Sequence, residues 1–253
     1  MDNIYSLNKK SNDESYDLVE TYYCDFSNIE IKKAAKDFLE HKENTRELVT
    51  KLFLFVRDKI IFGGDRWKVK ASETLKKGYG ACYNKNLLLV ALLRYHGIPS
   101  KLCANPMQKD FCKAVMGFGY ATVSTPFDHC FTKVLIDEKW VDIDPTLDKK
   151  TYRTFFVPQN VSWGIDWDGH NDMFLYEGST IDEPKILNDI DSALEKNLKS
   201  HYLFRKEPEF LLSLWLSLGN MMMWKQTKNP PTGNPNVTIR HGKQIHLDDP
   251  CCE

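Results

Sequence analysis

The chain lacks an excess of charge of either sign, any Cys-x-x-Cys pair, any internal repeat and any apolar run long enough to span a bilayer. Thirty-four Lys and Arg against thirty-five Asp and Glu leave a net charge of -1. No broad field therefore gathers nucleic acid or an anionic membrane, and the substrate must be recognised locally. The seven cysteines, at positions 24, 82, 103, 112, 130, 251 and 252, are odd in number and scattered, so reduced thiols are expected rather than structural disulfides. The closing Cys251-Cys252 pair has no histidine at ligand spacing and reads as an exposed end. No metal and no cofactor are expected. The first twenty residues carry no apolar run behind a basic stretch, so they do not read as a secretory signal, and the expected location is cytoplasmic. The apolar stretch from Phe210 to Trp224, bounded by Glu209 and Lys225, is too short to cross a membrane. It reads as a buried helix, with a homodimer contact or an acyl-chain pocket as the alternatives.

A hydrophobic fraction of 42% with 12% aromatics is enough to bury a large core in a chain of 253 residues. One catalytic domain is expected over 1–225, with its core at 45–178 and a helical segment at 183–225, followed by a flexible tail at 226–253. Helical spacing of apolar residues predicts helices over Ile29 to Phe38 and Thr45 to Ile61, and Ser72 is placed to cap a short helical turn. Cys82 to Tyr95 is apolar nearly all round and stops at His96-Gly97-Ile98-Pro99, the pattern of a buried central helix. Strands are expected over Ser100 to Asn105, Asp128 to Ile136 and Trp140 to Asp144, the last two joined by a turn at Asp137 to Lys139. The stretch from Pro106 to Phe127 is too long for a hairpin connection and reads as a lid or an extra ribbon. Helices over Pro184 to Leu198 and Glu207 to Trp224 complete an α+β fold with an antiparallel sheet.

A thiol is a useful nucleophile only as thiolate, which a helix N-terminus and an adjacent imidazole both favour. Cys82 follows the loop Gly78-Tyr79-Gly80-Ala81 at the start of the central helix, where free N–H groups can also bind a developing oxyanion. His129 opens a strand and Asp144 ends the next, so the hairpin can bring the carboxylate beside the imidazole. Asp142 lies on the same face by the period of two and is the alternative partner.

The run from Ala71 to Cys82, continuing through Leu87 to Leu93 and Gly97-Ile98-Pro99, resembles the nucleophile segment of bacterial transglutaminase-like proteins. His129 with the strand behind it, and then Trp140-Val141-Asp142-Ile143-Asp144-Pro145-Thr146, resemble that family's histidine strand and Trp-x-x-x-Asp-Pro-Thr strand, in the same order. The resemblance covers Ala71 to Asp148 and implies the papain-like core, with Cys82 as nucleophile, His129 as general base and acid, and Asp144 as its partner. It also implies a second oxyanion donor upstream, for which Trp67 is the nearby side chain with a suitable N–H. Many bacterial members carry an acidic residue just before the cysteine; Ala81 stands there in this chain.

Such a triad performs acyl transfer through a thioester on the cysteine. The expected donor is a carrier-protein thioester, another thioester or an amide, and the expected acceptor is an amine or peptide, so that an amide forms, as in peptide natural-product biosynthesis. A cytosolic peptidase or amidase is the first alternative and a catalytically inactive binding module the second. Tyr79, Phe127, Trp140, Trp163 and Trp167 are the candidates for lining the substrate site. The loop Asp166-Trp167-Asp168-Gly169-His170-Asn171-Asp172 has alternating carboxylates, but its glycine is misplaced for a calcium loop, and a polar loop near the active-site mouth is the expectation.

Overall fold

The structure, a computed structural model, describes residues 17–38, 44–123, 125–196, 209–228, 237–240 and 243–246. Helix α1 (Ile29–Lys36) and helix α2 (Thr45–Lys59) each begin at an asparagine whose side chain accepts a backbone N–H, from Glu30 at Asn28 and from Glu47 at Asn44. Val49, Leu52, Phe53 and Val56 form the buried stripe of α2. That helix ends two residues before the expected Ile61, because Ile61 and Phe62 leave it as a short strand, β1 (Ile61–Phe62). Strand β1 pairs in parallel with β2 (Tyr79–Gly80), which fixes the end of α2 against the residues preceding Cys82.

Between them lies α3 (Ala71–Lys77). Ser72 does not cap it: the cap position is Lys70, and the Ser72 hydroxyl and N–H both bond to Asp25 from inside the first turn. Gly78, at φ +70°, takes the left-handed conformation that closes the helix, donating its N–H to Thr74 and Leu75.

Helix α4 (Cys82–Tyr95) is buried from Cys82 to Arg94, as its all-round apolar pattern requires. It packs on a sheet ordered β5-β4-β3-β6, antiparallel throughout, formed by β3 (Ser100–Met107), β4 (Phe127–Ile136), β5 (Lys139–Ile143) and β6 (Lys185–Ile186). Asp137 and Glu138, both at positive φ, make the two-residue turn between β4 and β5. The fold is therefore α+β with an antiparallel sheet.

Three segments differ from their sequence patterns. The stretch from Pro106 to Phe127 forms short helical turns, with 3-10 turns at Lys109–Cys112 and Gly117–Thr122 around α5 (Lys113–Met116), and no ribbon. Helix α6 (Lys149–Phe155) follows, capped by Asp148. The helix expected from Pro184 begins later, as α7 (Ile190–Lys196), because Lys185–Ile186 extends the sheet edge beside Cys103–Ala104 and the Asp189 side chain accepts the Ser192 N–H. The final helix, α8 (Glu209–Lys228), runs past Lys225, and β7 (Val237–Arg240) pairs with β8 (Lys243–His246) within the stretch read as loop. Cys251 and Cys252 lie outside the described residues.

Candidate active site

Cys82 is the first residue of α4, buried with 4% of its surface exposed. Two features fix this helix start. A side-chain carbon on Gly80 would stand 2.7 Å from Asn84 Cβ, so only glycine allows the chain to approach the helix so closely. The Ala81 N–H donates to Asn84 Oδ1 at 2.9 Å, half of a capping box. One turn on, Lys85 is fully buried and donates Nζ to the carbonyls of Arg57 (2.9 Å) and Ile60 (2.5 Å), which terminates α2 and ties it to the nucleophile helix. Burial pushes its pKa down to about 7 despite the attraction of Asp148, Asp58 and Asp144.

His129 stands near the start of β4 and Asp144 immediately after β5. His129 Nε2 meets Asp144 Oδ2 at 2.5 Å, with both side chains buried. Cys82 also acts on the ring and helps to raise its pKa, and since Nε2 faces the carboxylate, Nδ1 is the nitrogen left for the thiol. Burial alone would lower the imidazole's pKa. The Asp144 charge and hydrogen bond, with the contribution of Cys82, overcome it and hold His129 at about 10. Burial conversely favours the protonated Asp144, yet His129, Thr146 and Asn86 together keep its carboxyl below the usual range. Asp144 Oδ1 accepts both the Thr146 N–H (3.0 Å) and the Thr146 hydroxyl (2.5 Å). Asp142 is engaged elsewhere: its carboxylate pairs with Lys133 and its N–H donates to Asp172.

Asn86, fully buried one turn along α4 from Cys82, joins all three motif-bearing elements. Its Nδ2 faces the carbonyls of Cys82 and Cys130, each at 2.9 Å, and Asp144 Oδ1 and Thr146 Oγ1, each at 3.2 Å. Its Oδ1 accepts the Thr132 hydroxyl at 2.8 Å.

Cys82 and His129 open onto a cavity of about 80 Å³. Phe127 lines it, but the other four candidates do not. Tyr79 packs edge-on against Trp224, and Trp140 lies under Lys101 at the far end of the hairpin. Trp163 sits behind the lining, 4.9 Å from the Tyr176 ring, and Trp167 packs on Phe53 and donates to the Asn171 carbonyl. Trp67 is not among the lining residues either; from that connection the cavity is bordered by Phe62 and Gly64. The carboxylates of the 166–172 loop serve as internal partners: Asp166 pairs with Arg57, Asp168 accepts the N–H groups of His170 and Asn171, and Asp172 accepts that of Asp142. Among the described residues no group of three or more His, Cys, Asp or Glu is placed to hold a metal ion.

The matching family model spans this constellation. Residues 32–145 match the core model of the transglutaminase-like superfamily. That superfamily includes cysteine-dependent acyltransferases and peptidases. No curated protein matches the chain. Among solved structures it is similar to a Cytophaga hutchinsonii protein assigned as a cysteine protease, at 21% identity and a TM-score of 0.43, over 55% of this chain and 43% of that one. It is also similar to red sea bream transglutaminase, at 11% identity and a TM-score of 0.37, over 88% of this chain and 43% of that one. The chain thus spans under half the length of either structure.

Several residues around the site carry no motif of their own. Phe111, from the turns before β4, and Tyr176 both pack on the His129 ring, at 5.8 and 5.1 Å. Tyr176 holds φ +58°, a costly backbone conformation for an aromatic residue, at the place where its ring walls the cavity. Helix α8 closes the remaining side with Trp215, Leu216, Asn220 and Met223. Here the apolar stretch is a helix with a buried stripe on the active site; its outer face still exposes Phe210, Leu214 and Met221. No helix among the described residues is long and apolar enough to cross a membrane.

Proposed function

We propose that this chain is a cysteine acyltransferase that carries an acyl group as a thioester on Cys82 and passes it to an amine, forming an amide. The observation that supports this reading best is that Cys82 and His129 line one mostly apolar cavity while Asp144 holds the ring from behind at 2.5 Å.

In the proposed reaction, the proton of the Cys82 thiol already rests on His129, and the sulfur attacks the carbonyl carbon of a thioester or amide donor. A carbon–sulfur bond forms and the carbonyl electrons move to oxygen, where the Cys82 N–H at the start of α4 is the available donor. The oxyanion then collapses, the bond to the leaving group breaks, and His129 returns the proton to that group. An incoming amine attacks the Cys82 thioester, gives its proton to His129 and releases the amide. Asp144 orients the ring and stabilises its cation in both halves. The mostly apolar lining offers water few partners beside Cys82, which supports an amine acceptor over hydrolysis. The donor we propose is a carrier-protein thioester or a smaller thioester, and the acceptor an amine or a peptide amino group.

The test is to incubate the purified chain with simple thioesters plus primary amines and, separately, with peptides. Amide product is expected; release of free acid alone would assign the chain to the hydrolases instead.

A further inference from the structure

The cavity at Cys82 has one wall that the motif residues do not supply. Trp215, Leu216, Gly219 and Met223 recur at spacings of three and four along α8, so they share its inward face, and all line the cavity. This wall is anchored: Gly64 donates its N–H to Asn220 Oδ1 at 2.7 Å, Asn220 Nδ2 donates to the Gly64 carbonyl at 2.8 Å, and Trp224 Nε1 donates to the Phe62 carbonyl at 2.9 Å.

Among the described residues no Lys, Arg, Asp or Glu lines the cavity, and the one charged group on its wall, the His129 ring, is already paired with Asp144. A charged acyl group would be buried there without a partner, at a cost of several kcal/mol, whereas an aliphatic one gains from leaving water. The volume of about 80 Å³ is roughly half that of a ~150 Å³ cavity known to admit benzene, so it holds roughly three or four carbons.

Gly219 is the unexpected member of this wall. Glycine inside a helix is less stable than alanine, so its presence in the middle of α8 calls for a reason. Its backbone supplies none, since its φ is not in the left-handed range, and a side-chain carbon added there would meet nothing within 4 Å. The space in front of Gly219 is the cavity itself. A first side-chain carbon at this position would enter it without meeting another atom of the protein.

Resting on the acyl-transfer reading above, we propose that the cavity between α8 and Cys82 is the acyl pocket, that it takes an uncharged aliphatic acyl group of about four carbons, and that Gly219 sets its depth. Loading it is a balanced exchange. The Cys82 sulfur bonds to the acyl carbon, the donor's carbon–sulfur bond breaks, and the departing thiol leaves with the proton that His129 took from Cys82.

The experiment uses N-acetylcysteamine thioesters of acetic, butanoic, octanoic and succinic acids with the full chain, and follows acyl-Cys82 by intact and peptide mass. Butanoyl is expected to load at least about tenfold faster than octanoyl or the equally long but charged succinyl. Gly219→Leu is expected to lower the butanoyl-to-acetyl rate ratio by about tenfold, and Gly219→Ala by less, with a melting temperature at or above that of the unmodified chain. Equal loading by butanoyl and succinyl, or an unchanged ratio in folded Gly219→Leu and Gly219→Ala, overturns the pocket alone. Absence of acyl-Cys82 with every thioester overturns the acyl-transfer reading and the pocket with it.

Discussion

His129 Nε2 and Asp144 Oδ2 lie 2.5 Å apart, with both side chains buried and their partners arriving from different strands. Each holds the other's charge against the cost of burial. Asp144→Asn keeps the shape and removes the charge, leaving burial to pull the His129 pKa down. Acyl transfer is expected to fall by about 10²–10⁴-fold, and stability by about 3–5 kcal/mol where the pair is fully charged.

The pH dependence of that loss follows from the two shifts. The His129 pKa is raised to about 10, so its share of stability is complete below its unfolded pKa of about 6.5 and disappears as pH climbs toward 10. The Asp144 pKa is lowered, so its share is present above about pH 4 and is lost in acid. Urea unfolding should therefore show the widest gap between wild type and Asp144→Asn from about pH 4 to 6.5, narrowing up to pH 10. A gap independent of pH would contradict the ion pair.

Lys85 acts in the opposite direction over nearly the same range. Its folded pKa of about 7 lies below the unfolded value of about 10.4, so between the two the unfolded chain binds the extra proton and Lys85 stabilises more as pH rises. The stability difference between wild type and Lys85→Met should widen by about 4 kcal/mol from pH 7 to 10. Denaturant titrations of the pair at pH 6.5, 8 and 9.5 measure this, and a constant difference would mean that Lys85 remains charged throughout.

Asn86→Ala removes the amide that ties the Cys82 turn to β4 and to Asp144. The carbonyls of Cys82 and Cys130 are then left without this donor in a buried place, and a loss of about 2–4 kcal/mol is expected. Alkylation of Cys82 by iodoacetamide should also slow, because His129 and the thiol are no longer held in register. Unchanged alkylation in a folded Asn86→Ala variant would reduce Asn86 to a structural residue.

Trp224→Ala cuts the hydrogen bond to Phe62 and the ring contact with Tyr79 without touching the cavity lining. Loosened at this end, α8 should uncover Cys82, and its alkylation should quicken about three- to tenfold, a shift of about 0.7–1.4 kcal/mol in the opening equilibrium. An unaltered rate would show that α8 does not control access.

The motif-bearing part of this architecture was legible in the sequence because each signal is local. Cys82 to Tyr95 announces a buried helix by its composition, and the turn at Asp137 and Glu138 announces the hairpin that carries His129. The choice between Asp144 and Asp142 was not local. Period-two spacing puts both on one face, and only their contacts separate them, His129 for Asp144 and Lys133 for Asp142. The lining was least legible. Asn220 meets Gly64 across 156 positions, and Tyr176 reaches His129 through a backbone conformation that no propensity favours. A helix apolar on both faces does not say which face meets the core, so the inward role of Gly219 appears only once α8 is in place.

The most direct measurement is acid-quenched peptide mass spectrometry after mixing the chain with a thioester, followed by a chase with a primary amine. The account predicts an acyl group on Cys82, absent from Cys82→Ala, that passes to the amine during the chase. An acyl group found on another cysteine, or amide formation that persists in Cys82→Ala, would contradict it.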